Sequence, residues 1–552
     1  MIRKLIYKTF TTLAGEEVRR FESASKDPKS AQLSRLSEII QSGRNSAFGR
    51  EHGFNSVRNY DDYCRALPPN DYEYFRPYVD RLVQGEKGIL TAQDPFMFAT
   101  TSGTTNKRKL IPITKDYISE FRRASKVSCY KLFQHFPALA DGCALTIASP
   151  AEEGRTVSGI PFGAISGALY LMEPEPVRQS ILSVPYDVFT LKDYETRYYC
   201  ILRTALAQPV TSFYTLNPST IFLLGSRLKM HGAALARDLF DGTLRAPDTV
   251  PRAILDKISS LINRDRTKGR LLDKLVESDQ CVPWKVWPEL AVSSCWTKAA
   301  ASFYLPGLKE LLGETPICDI TYGASEGRGT IFLSPDKQAL AVRSHFYEFI
   351  PVSEIESTNP TFKLAHQLEL GESYYILLTT SAGLYRYNIR DVVKVVGFHN
   401  ETPLIEFQYR GGNVFSFSGE KITELQVTDS IVRALSECSL GARFFTVIPQ
   451  FDPTPHYSLW LELQNPDAAC PSSFLEKLAS SFDRELSQVN HEYSDKRRSL
   501  RLDPPGIRVI KPGSYEALRK ELASKGTPDS QVKLSHLNPK EDTRVFFEDR
   551  LI

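Results

Sequence analysis

Residues 99–114 read Ala-Thr-Thr-Ser-Gly-Thr-Thr-Asn-Lys-Arg-Lys-Leu-Ile-Pro-Ile-Thr. Thr101, Ser102, Thr104 and Thr105 crowd around one glycine, and Lys107, Arg108 and Lys109 follow at once. Such a stretch offers short hydroxyl donors, uncovered backbone N–H groups and positive charge. A polyphosphate needs those three things. The chain carries no Walker loop and no dinucleotide fingerprint, so any nucleotide chemistry must be built on another pattern.

Two further strings carry chemistry. In Thr321-Tyr322-Gly323-Ala324-Ser325-Glu326-Gly327, a tyrosine beside small residues can stack on an adenine face. The glutamate behind it can hold a divalent cation that bridges phosphates, the usual way magnesium is held. The same string also reads as an ordinary glycine-flanked turn. The other string is Tyr385-Arg386-Tyr387-Asn388-Ile389-Arg390-Asp391-Val392-Val393, followed by Gly397-Phe398-His399-Asn400. A carboxylate at Asp391 is suited to accept hydrogen bonds from two ribose hydroxyls. It is equally suited to pair with Arg386 or Arg390 as a structural salt bridge. No Ser-His-Asp or Cys-His signature accompanies these strings.

The elements that must hold them follow from hydrophobic period. Ala31, Leu33, Leu36, Ile39 and Ile40 recur at helical spacing, so the first 45 residues are expected to be helical. Residues 46–98 read as short helices and turns. Phe96–Phe98 suits a strand and Asp116–Phe136 a helix, which would set the hydroxyl-rich loop between a strand and a helix. Residues 143–149 suit a buried strand. Helical patterns alternate with short apolar runs over 192–311, as in an α/β layer. Two strand-like pieces are expected around the turn within 317–350. Residues 374–379, 392–396 and 404–409 are rich in β-branched and aromatic residues and read as strands. After Gly411-Gly412 the pattern resets, with helices expected at 421–439 and 472–492 and strands at 444–448 and 457–463. That stretch is long enough for a small α+β domain. A hinge is placed near 410–413, giving domains 1–410 and 411–552.

The bulk numbers agree with a soluble globular protein. The chain has 552 residues, 42% hydrophobic and 24% charged, with a net charge of +3 from 68 basic and 65 acidic residues. A nucleic-acid protein would carry a strong basic excess. The basic run Lys496-Arg497-Arg498 is short and reads as a solvated helix end. The nine cysteines are scattered, with no Cys-x-x-Cys pair, as in reduced, cytosolic proteins. No apolar run is long enough for a signal peptide or a membrane span. The expected location is therefore cytoplasmic, without nucleic-acid or membrane partners. The nine histidines are dispersed and show no metal-binding spacing. Trp284, Trp287 and Trp296 read as core, with an aromatic pocket as the alternative.

Taken together and in order, the motifs resemble the adenylate-forming ligase superfamily. Within it, the chain is similar to the Gretchen Hagen family of acyl acid amido synthetases. Further matching stretches are Phe48-Gly49-Arg50-Glu51-His52-Gly53-Phe54, Tyr347-Glu348-Phe349-Ile350-Pro351, Asn490-His491-Glu492-Tyr493 and Gln531-Val532-Lys533. The resemblance implies an α/β fold, with a large N-terminal adenylate-forming domain and a smaller mobile α+β C-terminal domain. It implies an acid–amino acid ligase using ATP and Mg2+. A carboxylic acid is adenylated with release of pyrophosphate, and an amine then takes the acyl group. Carried over by position, Thr101, Ser102, Thr104 and Thr105 would cradle phosphates. Tyr322 would contact adenine, Ser325 the α-phosphate, Glu326 the magnesium and Asp391 the ribose. Lys421 stands where the family has a lysine on its mobile domain. The base for the amine is open: a carboxylate or water suits the role as well as His399. Two rival functions share the motifs, a thioester-forming ligase and a catalytically degenerate nucleotide-binding scaffold. The chain departs from the family at Asn106 and at Arg390, where relatives usually have glycine. Arg390 could contact phosphate, pair with Asp391 or point to solvent.

Overall fold

The computed structural model describes residues 2–101, 109–245, 250–298, 305–355, 357–410, 414–416, 418–451, 454–464, 472–524, 536–539 and 541–552. The chain divides into two compact units, one built on Met1–Thr101 and Arg108–Gly411 and the other on Gly412–Ile552. Ser102, Thr104 and Thr105, together with Asn106 and Gln531-Val532-Lys533, lie outside the described residues.

In the first unit, helices α1 (Ile2–Ala24) and α2 (Pro28–Gly43) stand where the helical spacing places them. The Asp27 side chain caps α2 by accepting from Ser30 N, and Pro28 occupies the first helical position. Leu36, Ile39 and Ile40 are buried by this helix. The aromatic-rich stretch folds into α3 (Ala47–Glu51), α4 (Tyr60–Ala66) and α5 (Tyr72–Val83), capped by Ser46, Asn59 and Asp71. Strand β1 (Met97–Thr101) pairs antiparallel with β2 (Lys109–Ile113), with Thr101 opposite Lys109. Helix α6 (Lys115–His135) begins only after β2. The hydroxyl-rich segment therefore joins two antiparallel strands, not a strand and a helix as expected. The Leu-Ile-Pro-Ile run hid the second strand because proline seldom sits in one. Here β2 is at a sheet edge, where a missing N–H is tolerated. Lys109 is buried in that strand with its Nζ 5.3 Å from the centre of the Tyr72 ring.

Next come β3 (Cys143–Thr146) and the short strands β4 (Gly154–Arg155) and β5 (Pro161–Gly163), which complete the β1–β2 sheet. β3 joins β6 (Val210–Tyr214), β7 (Val292–Cys295) and β8 (Ile317–Asp319) in a parallel sheet. Helices between these strands make the α/β layer. Residues 317–350 hold more strands than the expected two: β8, β9 (Gly323–Ala324), β10 (Gly327–Arg328), β11 (Thr330–Ser334), β12 (Lys337–Leu340) and β13 (Phe346–Pro351). Of these, β11, β12 and β13 join β14 (Ser373–Thr379), β15 (Tyr387–His399) and β16 (Thr402–Arg410) in a six-stranded sheet ordered β11-β12-β16-β15-β14-β13. Trp287 is fully buried and meets Phe213 edge-on at 5.6 Å, whereas Trp284 is 39% exposed.

The second unit pairs β17 (Val414–Phe415) with β18 (Ile422–Thr423). A helix at Glu424–Glu437 then leads to β19 (Ala442–Phe451) and β20 (Pro455–Leu463), which pair antiparallel. Helices Ser472–Val489 and His491–Arg498 precede β21 (Gly506–Ile510), which joins β20 in parallel. Trp460 stacks on Phe547 in a small core with Ile448 and Ile510. Arg497 corrects the expectation of a solvated basic run: its Nε and Nη2 each donate to the Asp483 carboxylate at 2.8 Å, and its side chain is 17% exposed. The eight cysteines among the described residues are free thiols. No helix among them is long and apolar enough to cross a membrane.

Arg390 has φ of +63°, a left-handed backbone that penalises any residue with a Cβ. That explains why a glycine suits the position. Its side chain is 56% exposed and approaches Asp71 at 3.7 Å, while its N–H donates to Asn388 Oδ1 at 2.8 Å. Among the alternatives, the side chain runs to the surface. An exposed contact of that length contributes little. Arg390→Gly is expected to stabilise the protein by about 1 kcal/mol, read as a higher denaturant midpoint at unchanged slope.

Candidate functional site

The parallel strands deliver the chain to the site. β8 ends at Asp319, and three residues later Tyr322 lies beyond its carboxyl end, where open α/β sheets place ligands. The next residues fold back tightly: Gly323 pairs with Arg328 and Ala324 with Gly327. Ser325 and Glu326 are thus the two-residue tip of a hairpin, with Glu326 only 3% exposed. The glycine-flanked turn is real, and it presents a buried carboxyl group.

Tyr322 is fixed through both backbone and side chain. Its N–H donates to Thr330 Oγ1 at 2.7 Å, and its carbonyl accepts from Gly329 N and Thr330 N. The ring stacks on Phe407 at 5.7 Å between centroids. It also presses on Gly329, where an added Cβ would lie 2.2 Å from Tyr322 Cδ1. Only glycine fits there. The phenol O–H donates to Asp391 Oδ2 at 2.8 Å. Asp391 sits on β15 opposite Arg410 of β16 and is 6% exposed. The two arginines proposed as its salt-bridge partners pair elsewhere. Arg386 reaches Glu348 from Nη2 at 2.8 Å and Leu67 O from Nη1 at 2.8 Å. Arg390 faces Asp71.

Sequence reasoning did not find the polar support behind Tyr322. Gln338 of β12 accepts from Thr330 Oγ1 at 2.8 Å and donates to Asp319 Oδ2 at 2.9 Å and Ile320 O at 3.1 Å. Asp319 Oδ1 accepts from Thr297 N at 2.8 Å. Burial pushes the Asp319 carboxyl up to about 6, against the opposing hydrogen bond from Thr297. A carboxylate at the carboxyl end of a core strand was the available signal; Gln338 gave none. Thr321, 6% exposed, has a buried hydroxyl with no hydrogen-bond partner among the described residues.

Three further candidate residues are held by their own elements. Thr101 closes β1. Lys421 lies in the second unit, where its carbonyl accepts from Asn490 Nδ2 at 2.7 Å. His399 is hydrogen-bonded to Glu22 at 2.8 Å and stacks on Phe21, so its ring braces α1. Among the described residues no group of three His, Cys, Asp or Glu side chains could hold a metal by itself. A single buried carboxyl such as Glu326 suits a magnesium ion, whose other ligands are usually phosphate oxygens and water.

Family comparison covers most of the chain. Residues 17–317 match the GH3 family N-terminal domain, residues 338–410 its central domain and residues 426–542 its C-terminal domain. The Ser325–Glu326 hairpin lies between the first two matches. An indole-3-acetic acid-amido synthetase, GH3.4 of Arabidopsis thaliana, is 24% identical over 93% of this chain and 90% of its own. A jasmonoyl–L-amino acid synthetase, JAR4 of Nicotiana attenuata, is 25% identical over 96% and 95%. The structure of the GH3.15 acyl acid amido synthetase superposes with a TM-score of 0.65 at 22% identity, covering 96% of this chain and 95% of that one. Its complex with 2,4-DB gives 0.67 at 21% identity, covering 98% and 97%.

Asp319 yields a signed pH prediction. Its folded value lies above the ordinary carboxylate value of about 3.9, so the native state binds the extra proton between about pH 4 and 6. Stability from this group is full below that window and falls as pH rises through it, by roughly 2–3 kcal/mol. Asp319→Asn lacks this slope. Unfolding free energies of the two proteins, compared from pH 4 to 7, should diverge by that amount; parallel curves would contradict it.

Proposed function

The chain belongs to the GH3 family, and on that premise we propose that it is an ATP-dependent acyl acid amido synthetase. The observation that carries this reading is the Tyr322–Asp391 hydrogen bond, 2.8 Å long across 69 residues of sequence. It brings the tyrosine of one motif onto the carboxylate of the other, beside the buried Glu326 hairpin. In this reading Asp391 accepts from the ribose hydroxyls and Tyr322 lies against adenine. Ser325 would contact the α-phosphate, and Thr101, Ser102, Thr104 and Thr105 would cradle phosphates. Glu326 would hold magnesium, which supplies charge neutralisation on the phosphates when bound.

The chemistry is displacement at phosphorus and then at carbon. A carboxylate oxygen of the acid attacks the α-phosphorus of ATP. The bond from that phosphorus to the bridging oxygen breaks, and pyrophosphate leaves with the electron pair. The acyl carbon of the mixed anhydride is next attacked by an amine nitrogen, commonly that of an amino acid. The carbon–oxygen bond to the phosphate breaks, AMP departs, and the nitrogen loses a proton to give a neutral amide. The protein supplies no covalent nucleophile. Positioning and charge stabilisation carry both steps, consistent with the absence of a nucleophile–base motif in the sequence. Lys421, on the second unit, serves one of the two steps. We place the domain boundary at 410–411 and assign the cytoplasm as the working compartment.

The test is a panel of acids and amines, scored for carboxylate-dependent AMP and pyrophosphate release and for amide mass. Amide formation is expected. A product cleaved by mild hydroxylamine would indicate a thioester ligase instead, and ATP binding without pyrophosphate release would indicate a scaffold. Asp391→Ala should raise KM for ATP by about 10- to 100-fold, the worth of a hydrogen bond to a charged group. Glu326→Ala should lower kcat about 100-fold. Unchanged kinetics in either variant would remove that residue from the mechanism.

A further inference from the structure

The Glu326 hairpin is gripped by three buried side chains, Tyr117, His345 and Tyr347, to which the sequence assigned no part in the site. Tyr117 of α6 donates its phenol O–H to the carbonyl of Ser325 at 2.7 Å. His345, just before β13, accepts the N–H of Arg328 on Nε2 at 3.0 Å. Tyr347 of β13 donates to the carbonyl of the same Arg328. The backbone is thus held on both sides of Glu326. Gly327 between these anchors lies so close to His345 that an added Cβ would approach its ring at 3.2 Å.

The grip depends on one histidine tautomer. Nε2 accepts only if it carries no proton, so the ring proton must sit on Nδ1. Glu120 fixes it there, with Oε2 2.9 Å from Nδ1. Glu120 is 1% exposed and is also bound by Arg35 and by Ser381 through its hydroxyl and its N–H. The Tyr117 ring stacks on His345 at 5.6 Å and 17°. Burial, then the nearby Glu326 and Glu120 carboxyls, push the Tyr117 hydroxyl well above its ordinary range. It therefore stays a donor throughout the working pH range.

We propose that Tyr117, His345 and Tyr347 are positioning residues that set the Glu326 carboxyl for its part in adenylation, with Glu120 selecting the histidine tautomer. This rests on the reading of Glu326 as the metal-holding residue. A merely structural role would change stability alone. A positioning role changes the metal requirement and the rigidity of the hairpin, and does so through Glu326.

The experiment compares the full-length protein with Tyr117→Phe, His345→Phe, Glu326→Ala and the Tyr117→Phe/Glu326→Ala pair. Tyr117→Phe keeps the ring stack and removes only the hydroxyl, so it tests the inference even where His345→Phe does not fold. Two readouts are taken: amide hydrogen exchange across residues 324–330 without ligand, and the Mg2+ concentration giving half-maximal carboxylate-dependent pyrophosphate exchange. In Tyr117→Phe, hairpin amides are expected to exchange about tenfold faster and the Mg2+ midpoint to rise about tenfold, the worth of one hydrogen bond. In the Glu326→Ala background the same change should add nothing to the midpoint, because the coupling runs through that carboxyl. A Tyr117→Phe protein with wild-type exchange and midpoint, or an additive pair, overturns the inference while leaving Glu326 in place. A Glu326→Ala protein with an unshifted midpoint overturns both the inference and the reading of Glu326 beneath it.

Discussion

A carboxyl group sealed from water must be met on every side by donors, and Glu120 is where this chain meets that requirement. Its oxygens take donors from α2 (Arg35), from the segment before β13 (His345) and from the turn after β14 (Ser381). These segments are separated by 85, 225 and 261 residues of sequence from Glu120. One side chain therefore ties the N-terminal helices to the large sheet. A second buried pair, Arg386 with Glu348, repeats the device near the start of β15. Such pairs are costly to break because the remaining partner is left uncompensated. They hold in register the strands that carry Tyr322, Glu326 and Asp391.

The elements of the candidate site are economical. β8 delivers Tyr322, a two-residue hairpin delivers Ser325 and Glu326, and β15 delivers Asp391. β15 alone carries a left-handed residue, Arg390, directly before its site residue, and each element is stiffened by neighbours from other strands. Gly329 lets the Tyr322 ring close on the backbone. Gln338 and Asp319 then tie that backbone to the end of the parallel sheet. This is preorganisation in the ordinary sense, with groups fixed before the substrate arrives.

What could be read from sequence was local. The helical spacing of Leu36, Ile39 and Ile40 marks α2, and the β-branched run through Val392–Val396 marks part of β15. Both signals survive because burial of one face determines them. The strand at Lys109–Ile113 escaped notice because Pro112 argues against it, and only the sheet edge makes proline acceptable. The tip residues Ser325 and Glu326 were legible as a turn, but their support was not. Tyr117, His345, Gln338 and Glu120 look like ordinary helix or strand residues until distant segments meet. Arg390 was legible only as a departure from a family pattern. Its left-handed φ gives that departure a physical meaning, a backbone cost borne at the surface while Asp391 beside it stays buried.

The central claim is that the acid's own oxygen attacks the α-phosphorus of ATP. Label transfer tests it most directly. A carboxylic acid carrying 18O in its carboxylate is turned over with ATP and an amine, and the phosphorus products are weighed by mass spectrometry. The account predicts one 18O atom in AMP and none in pyrophosphate. Label appearing in inorganic phosphate alongside ADP, or AMP formed without label, would contradict it.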